Sequence, residues 1–532
     1  MAIGYPISDL PGLGSLGHYS SHPDSDESFR FIDEKLHQCI GSHEKCGQSD
    51  PALVPERLLN IGTGENDTIR LAESNAPVRY VSLSHCWGTH QPIKTTSSNL
   101  SQMKTNIPWH DLSKVFQDAI KVARRLSVQW IWIDSLCIIQ DSKSDWEIES
   151  SKMCDYYSNA YLTISASSSK DGTVPFLQRR AEIWWPESFS FTGTDGTESL
   201  IHARRHQGST MTQPLEDLGP LASRGWVWQE NVLSTRVLHY TEAELIWECR
   251  SELCSEDGAV PRGLYSNRLS QQLLQAERDP YQCWHNLIES YAVRKLTFES
   301  DRLPAISGVA SKIQEMVGSH VEYLAGLWKG NMPVELCWSV DYTSAHSSSP
   351  QLLPESFTAP SCSWASVHGP LSFVDRDPNS PFSPLVTVLE AECNVPGLNP
   401  YGEVTNGYLV LQGPVVSMMV NCTDPYNCWT YGVGDDPELR EPMAPDCMLV
   451  PFKKNGRKSI KRARKGEDSV AFSMEVDCIR LGNESGENGE FMYGLILGLS
   501  ETRADVYIRL GLVVLDSEDW FDGAVEKTLK II

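Results

Sequence analysis

Two short apolar segments of this chain each end in a run of polar side chains: YVSLSHCWG at residues 80–88 and WIWIDSLC at residues 130–137. Each reads as a buried β-strand. Between them, residues 111–129 (DLSKVFQDAIKVARRLSVQ) carry apolar side chains at spacings of three and four. That spacing predicts an amphipathic helix, capped by Asp111 or Ser113.

The same alternation continues after the second strand. Residues 144–160 (SDWEIESSKMCDYYSNA) predict a second helix, and residues 161–167 (YLTISAS) predict a third strand. Strands that alternate with helices in this way pair in parallel, so the fold class is α/β, a doubly wound sheet with flanking helices.

The rest of the chain predicts further structural regions. A short helix around Gln229 leads into a hairpin formed by VLHYT and LIWEC, and helices are expected over 281–294 and 305–316. Beyond Val321, short segments separated by Pro, Gly and Asn, among them SCSWASVHGP, LVTVLEA and YIRLGLVVL, predict antiparallel β-structure. The expected regions are an N-terminal arm (1–70), the α/β domain (71–260), a helical connector (261–320) and a C-terminal β-rich domain (321–532).

Composition limits the classes of function. The 532 residues carry a formal charge of −24, which opposes a dedicated nucleic-acid binder. Neither a membrane-spanning apolar run nor a secretion signal is visible, so we expect a cytoplasmic protein that does not bind membranes. One run opposes the acidic background: residues 453–465 hold eight Lys or Arg. A solvated loop is the default interpretation, and a nuclear-import signal or a contact with an anionic surface is the alternative.

The 15 cysteines favour reduced thiols over a disulfide framework. His37, Cys39, His43 and Cys46 lie close together in HQCIGSHEKC, but their spacing matches no zinc module. The sequence therefore predicts no metal site.

Ligands of doubly wound sheets bind beyond the carboxyl ends of the strands. The polar residues expected there are Ser84, His85, Cys86, Asp134, Ser135, Cys137, Ser165 and Ser167. The loop after the first of these strands, CWGTHQPIKTTSSN (residues 86–99), could close over them. Its Trp87 offers an aromatic face for a planar ligand.

The second predicted helix carries a carboxylate on an apolar stripe. Ser144 and Glu147 predict a capping box, and the resulting register places Glu149 in line with Trp146 and Met153. This conflict with the apolar pattern marks either a functional site or a glutamate that reaches the surface or pairs with an arginine, such as Arg224.

Nucleophilic catalysis has weaker support. Cys137 and His85 could form a dyad from neighbouring strands, although a buried cysteine more often acts as a small apolar side chain. The sequence contains no Gly-x-Ser-x-Gly, P-loop or His-Glu-x-x-His motif.

These residues belong to blocks that resemble the fungal heterokaryon incompatibility (HET) domain. The blocks are YVSLSHCWG (80–88), IPWHDLSKVFQDAIKVARRL (107–126), WIWIDSLCIIQDSKSDWEIESSKMCDYYSNAYLTISAS (130–167) and LASRGWVWQENVLSTRVLHY (221–240). The resemblance extends over about residues 36–375. It implies a role in non-self recognition between fungal individuals, in which the activated domain causes growth arrest or death of the fused cell.

The HET domain is in turn similar to the Toll/interleukin-1 receptor (TIR) domain, and here VSLSHCW resembles its first strand and Trp146-x-x-Glu149 its Trp-x-x-Glu helix. This similarity implies a TIR-like, flavodoxin-like sheet in which Glu149 is the catalytic residue of an NAD glycohydrolase. Ser84, His85 and Asp134 would line the pocket, and Trp146 or Trp87 would stack on a ring of the ligand. NAD is then the expected substrate, and no cofactor is required.

Two other functions stay open at this point. The domain could be a non-enzymatic module that signals by assembly, or an enzyme recruited to a small molecule of fungal secondary metabolism. Since no sensor repeat is visible, we expect a protein partner or the C-terminal region to activate the domain. The resemblance to TIR enzymes implies that it can form a homo-oligomer.

Overall fold

The computed structural model describes residues 19–47, 53–73, 76–88, 93–192, 196, 198–205, 218–258, 270, 272–273, 278–342, 350–373, 382–435, 441–454, 456–486 and 489–532. The chain divides into two compact units, Met1–Leu274 and Gln275–Ile532. We call them the N-terminal unit and the C-terminal unit.

The N-terminal unit is a mixed α/β unit. Its helices are α1 Asp26–Ser42, α2 Leu100–Thr105, α3 Lys114–Arg125, α4 Asp134–Cys137, α5 Lys143–Asn159 and α6 Gly225–Leu233. Its strands are β1 Arg57–Asn60, β2 Arg70–Glu73, β3 Tyr80–Ser84, β4 Trp130–Trp132, β5 Leu162–Ser165, β6 Glu187–Thr192, β7 Glu198–Ala203, β8 Arg236–Tyr240, β9 Leu245–Cys249 and β10 Leu253–Ser255.

The predicted parallel sheet is present at the centre of this unit. Eight strands lie in the order β10-β9-β8-β5-β3-β4-β1-β2. β3 pairs in parallel with both β4 and β5, and β5 pairs in parallel with β8. The predicted helices and the hairpin β8–β9 also form. α3 begins after Ser113, one of the two predicted caps, whose hydroxyl accepts from the Phe116 amide.

Three features of this unit differ from the sequence predictions. The first seventy residues contribute β1 to the main sheet, next to β4, and β2 pairs with β1. α5 begins earlier than predicted, because the Ser142 hydroxyl accepts from the Asp145 amide. The predicted capping box of Ser144 and Glu147 is therefore wrong. Glu147 instead lies 3.7 Å from Lys143 one turn back.

One apolar core holds this unit together. Leu83 of β3, Ile131 of β4 and Ile164 of β5 are fully buried, as is Phe116 of α3. β3 (YVSLS) and β5 (LTIS) are buried along their whole length, although hydroxyl side chains alternate with the apolar ones. The buried hydroxyls pair with one another, since Ser82 Oγ and Thr163 Oγ1 are 2.9 Å apart. The residues that follow each strand are therefore attached to a buried sheet centre.

The C-terminal unit begins with two helices, α7 Pro280–Ala292 and α8 Ser307–Val317, and is otherwise β-rich, as predicted. Its strands are β11 Tyr323–Leu324, β12 Leu327–Trp328, β13 Trp338–Val340, β14 Leu371–Phe373, β15 Phe382–Pro384, β16 Thr387–Asn394, β17 Asn406–Cys422, β18 Tyr431–Val433, β19 Glu441–Pro445, β20 Leu449–Lys454, β21 Arg457–Arg462, β22 Phe472–Gly486, β23 Gly489–Leu499, β24 Tyr507–Leu515 and β25 Val525–Ile531. The pairings of the main sheet close on themselves, since β17 pairs with β18 and also with β22.

Two predictions for this unit are wrong in detail. SCSWASVHGP forms a 3₁₀ turn at Trp364–Ser366 rather than a strand. The basic run lies on the hairpin β20–β21 rather than in a solvated loop. Part of its charge is paired, because Lys461 contacts Glu467 and Glu501. Of the helices that the structure describes, none is long and apolar enough to cross a membrane.

Candidate functional site at the strand ends

Asp134 is the centre of a polar cluster. It lies two residues after the end of β4 and is the first residue of α4. β3 and β4 are paired neighbours that run in the same direction, so the segments that leave them meet at one edge of the sheet. Trp87 Nε1 donates to Asp134 Oδ2 at 2.9 Å, and the Ser135 amide donates to Oδ1 at 2.6 Å. His85 Nδ1 lies 3.8 Å from Oδ1. The Asp134 side chain is 23% exposed, so solvent reaches the cluster.

His85 is a buried, neutral imidazole at this edge. Its ring packs edge-on against Phe116 of α3, with the ring centroids 5.0 Å apart. Burial lowers the pKa of His85, and the nearby Arg224 guanidinium lowers it further, against the opposite effect of Asp134. Arg224 also donates from Nη1 to the His85 carbonyl oxygen at 2.9 Å.

Glu230 of α6 is a functional candidate that the sequence reasoning missed. It is 6% exposed, and burial raises the pKa of its carboxyl group to about 7. Asp134 also raises this pKa, whereas Ser84, Arg224 and Tyr157 lower it because they favour the charged form. The signal in the sequence was a carboxylate inside the apolar helix GWVWQENVL. We name Asp134 and the six residues around it the strand-edge cluster: Ser84, His85, Trp87, Asp134, Ser135, Arg224 and Glu230.

Several polar atoms of the strand-edge cluster are buried and make no hydrogen bond of good geometry, although the Ser84 and Tyr157 hydroxyls lie close enough to the Glu230 carboxyl group to lower its pKa. They are Ser84 Oγ, His85 Nε2, Ser135 Oγ and Glu230 Oε2. Each unsatisfied buried group costs on the order of 1–3 kcal/mol. Such groups are rare in native proteins. Binding of a polar ligand to these atoms would explain them.

Glu149 lies in a separate group of charges formed by β1 and α5. Arg57 of β1 donates from Nη2 to both carboxylate oxygens of Asp145, at 2.8 and 2.6 Å, and lies 3.7 Å from Glu149 Oε1. Tyr156 donates to Glu149 Oε2 at 3.1 Å. Glu149 is 1% exposed, and burial raises its pKa although Arg57 opposes the shift. The glutamate therefore pairs with an arginine, but with Arg57 instead of Arg224.

One helical turn connects the two groups. Arg57 Nε donates to the Cys137 carbonyl oxygen at 2.7 Å, at the last residue of α4. Asp134 and Ser135 form the first residues of the same turn. The ion pairs of Glu149 and Asp145 with Arg57 thus hold the helix that presents Asp134 to the strand-edge cluster.

The other predicted site residues have different surroundings. Cys86 is buried against Leu221 and Val227. Burial raises the pKa of the Cys137 thiol to about 12, so it is protonated at neutral pH and is a poor nucleophile. Trp146 is 37% exposed and packs edge-on against Trp226, with centroids 6.4 Å apart.

Ser165 and Ser167 belong to another hydrogen-bond chain of the sheet. Their hydroxyls are 2.9 Å apart, and Ser167 Oγ lies 3.4 Å from Nδ1 of His239. His239 Nε2 continues the chain to Glu248 at 3.2 Å. The register of β3 and β5 places Ser165 next to Ser84, and the Ala166 amide donates to the Ser84 carbonyl oxygen at 3.0 Å.

The loop after Trp87 is partly described. Gly88 has a φ of +64°, and a side chain there would meet Asp171 Cβ at 2.3 Å, so glycine fits this turn. Residues 89–92 of the predicted closing loop lie outside the described residues. After them, the Thr95 amide donates to the Ser135 carbonyl oxygen at 3.0 Å and the Thr95 hydroxyl donates to the Leu136 carbonyl oxygen at 2.6 Å, which fixes this end of the loop to α4.

The N-terminal unit is thus an α/β domain with a polar cluster at the carboxyl ends of two parallel strands. Residues 80–230 match the family model described as Heterokaryon incompatibility protein (HET), so this segment of the chain is a HET domain. The matched segment contains the whole strand-edge cluster. No curated protein and no solved structure matches the chain.

Proposed function

We propose that this protein acts in a heterokaryon incompatibility response, and that its HET domain does so by cleaving NAD or a closely similar nucleotide at the strand-edge cluster. The family match supports the biological role. The observation that carries the chemical proposal is the set of buried polar atoms around Glu230 that make no hydrogen bond of good geometry.

The topology supports a nucleotide site in this place. Along the sheet the parallel strands lie in the order β4, β3, β5, β8, which is second, first, third, fourth in chain order. Flavodoxin-like sheets have this strand order. A flavodoxin-like sheet is also what the similarity to TIR domains implies. The order reverses between β3 and β5, next to Ser84, and ligands of such sheets bind at the reversal.

The reaction needs few protein groups. The bond between C1′ of the ribose and the nicotinamide nitrogen breaks, and both electrons move to the nitrogen, which thereby loses its positive charge. No general acid is required for this leaving group. The oxygen of a water molecule then bonds to C1′, and one proton of that water molecule is released. The products are nicotinamide, ADP-ribose and a proton.

A carboxylate near C1′ would stabilise the developing oxocarbenium charge more than the ground state. We assign this role to Glu230, because it lies among the residues of the strand-edge cluster. Its carboxylate form could also accept the proton of the attacking water. Arg224, which lies beside it, suits an anionic phosphate of the same ligand.

Glu149, the residue that the resemblance assigns as catalytic, is the competing candidate. Its neighbours are Arg57, Asp145 and Tyr156. This environment suits a positioning residue that supports α4 through Arg57. The two assignments make different predictions for single substitutions.

The test is NAD consumption by the purified full chain, read as nicotinamide and ADP-ribose. High protein concentration is used because the resemblance implies assembly. We expect Glu230→Gln to lower turnover at least about 100-fold. Glu147→Gln, a control on α5 whose carboxylate pairs with Lys143, should keep wild-type turnover. Wild-type activity should rise as the pH passes about 7, where Glu230 ionises.

Two results would overturn parts of this proposal. Loss of turnover in Glu149→Gln with full activity in Glu230→Gln would return the catalytic role to Glu149. A folded wild-type protein that cleaves no NAD, alone or concentrated, would exclude autonomous NAD cleavage and favour the assembly function.

A further inference from the structure

Three cysteines and one histidine of the N-terminal unit meet at one point. Cys39 lies in α1, His43 caps the end of α1, Cys46 ends the following 3₁₀ turn, and Cys249 is the last residue of β9. Their sulfur and nitrogen atoms all lie within 4.8 Å of one another. His37 does not take part, since its Nδ1 bonds to the Asp33 carbonyl oxygen.

The separations fit the ligands of a single metal ion. His43 Nδ1 lies 3.4 Å from Cys249 Sγ and 3.9 Å from Cys46 Sγ. In a tetrahedral zinc site with Zn–S bonds of about 2.3 Å and Zn–N bonds of about 2.0 Å, neighbouring ligand atoms are about 3.5–3.8 Å apart. All three cysteines are free thiols.

The surroundings suit thiolates. Arg236 Nε donates to Cys39 Sγ at 3.2 Å, and the Glu252 amide donates to Cys249 Sγ at 3.3 Å. Arg236 is itself held by the Gly47 carbonyl oxygen at 3.0 Å. Three thiolates around one Zn²⁺ leave a net charge of minus one, which the guanidinium of Arg236 would balance. Such outer contacts orient metal ligands and tune the site.

We propose that Cys39, His43, Cys46 and Cys249 bind one structural Zn²⁺ ion. Nitrogen and sulfur ligands in a tetrahedral arrangement select zinc among common divalent ions. The site is structural because four protein side chains complete the coordination and the three cysteines are buried.

The position of the site explains what the metal would do. Residues 39–46 precede the segment matched by the HET family, and Cys249 follows it. The ion would cross-link α1 to β9 and thereby tie together the two segments that flank the matched HET segment. The role is independent of any activity at the strand-edge cluster.

The first experiment measures metal content of the purified full chain by elemental mass spectrometry, after expression in zinc-supplemented medium without chelators. We expect one zinc per chain in the wild type. The zinc content of Cys249→Ser should fall below about 0.1 per chain, since a site with three ligands binds zinc far more weakly. Cys254→Ser, a buried cysteine of the neighbouring strand β10, is the matched control and should keep its zinc.

Two further readouts cover the case in which Cys249→Ser does not fold. His43→Cys should still bind one zinc, because four thiolates also form a tetrahedral site. Wild-type protein stripped of zinc should give thiolate-to-cobalt absorption bands when Co²⁺ is added, and Zn²⁺ should abolish them. Zinc removal should lower the Tm of the N-terminal unit by about 5–10 °C.

The proposal fails if folded wild-type protein contains no stoichiometric metal and shows no thiolate band with Co²⁺. The four side chains would then form only a hydrogen-bonded thiol cluster. Stoichiometric iron in place of zinc would overturn the choice of metal.

Discussion

At the scale of single residues, two buried glutamates show that a raised pKa does not by itself mark a functional group. Burial raises the pKa of both Glu230 and Glu256 to about 7. Both carboxylate oxygens of Glu256 accept from the Arg180 guanidinium. Glu230 Oε2 has no such partner. The difference in partners, more than the shift, makes Glu230 the candidate for contact with a ligand.

Glu230 should make the stability of the N-terminal unit depend on pH. Its pKa in the folded state, about 7, exceeds the ordinary value of 4.5, so the native state holds the proton more tightly. Its contribution to stability is complete below about pH 4.5 and is lost as the pH rises through about 7. Glu230→Gln keeps a neutral side chain, so it should stabilise the unit at pH 8 by up to about 3 kcal/mol and have little effect at pH 5.

Urea denaturation of wild type and Glu230→Gln at pH 5 and pH 8 measures this difference. Glu147→Gln, whose carboxylate is closer to solvent, is the control and should behave alike at both pH values. An equal effect of Glu230→Gln at both pH values would show that its carboxyl group has an ordinary pKa.

At the scale of secondary-structure elements, Arg57 connects β1 to α4 and α5. Its guanidinium is 7% exposed, pairs with Asp145 and Glu149, and holds the last carbonyl oxygen of α4. The short strand β1 therefore does more than extend the sheet. It fixes the two helices that flank the residues of the strand-edge cluster.

Replacement of Arg57 by methionine should destabilise the N-terminal unit by about 3–5 kcal/mol, because Glu149 would stay buried without a compensating charge. The double variant Arg57→Met with Glu149→Leu removes both charges and should recover a large part of this loss. Equilibrium denaturation of the three proteins measures both effects. If the double variant is as unstable as the single one, the energy lies in the hydrogen bond from Arg57 to Cys137.

At the scale of the whole molecule, each unit has its own apolar core and its own buried ion pair. In the C-terminal unit, Arg509 is fully buried, pairs with Asp446 at 3.1 Å and lies 3.4 Å from the centroid of the Trp338 ring. It also donates to the Leu336 carbonyl oxygen at 2.8 Å. With separate cores, we expect separate unfolding transitions.

Arg509→Met should lower the stability of the C-terminal unit by about 3–5 kcal/mol, since Asp446 loses its partner in the core. In scanning calorimetry one transition should move down by roughly 10 °C while the other stays in place. Lys527→Met, which removes a partly exposed pair with Asp477, should shift the same transition far less. A single transition that moves as a whole would contradict two separate cores.

The sequence by itself determined the elements at the centre of the HET domain. β3, α3, β4, α5 and β5 follow from apolar runs and periodic spacing, because burial of one face or of a whole strand is encoded locally in neighbouring residues. The same local patterns predicted that Ser84, His85 and Asp134 come after parallel strands and lie near one another. In the structure, His85 Nδ1 lies 3.8 Å from Asp134 Oδ1.

Only the tertiary structure decided which partners these residues have. Cys249 lies 206 positions from His43, and Arg57 lies 88 positions from Asp145, and no spacing rule connects such distant residues. Glu230 is a site candidate because the packing of α6 places it beside Ser84 and Asp134. The physical reason is that pairing, desolvation and metal coordination depend on distances in space, whereas a single sequence encodes only the local pattern of each element.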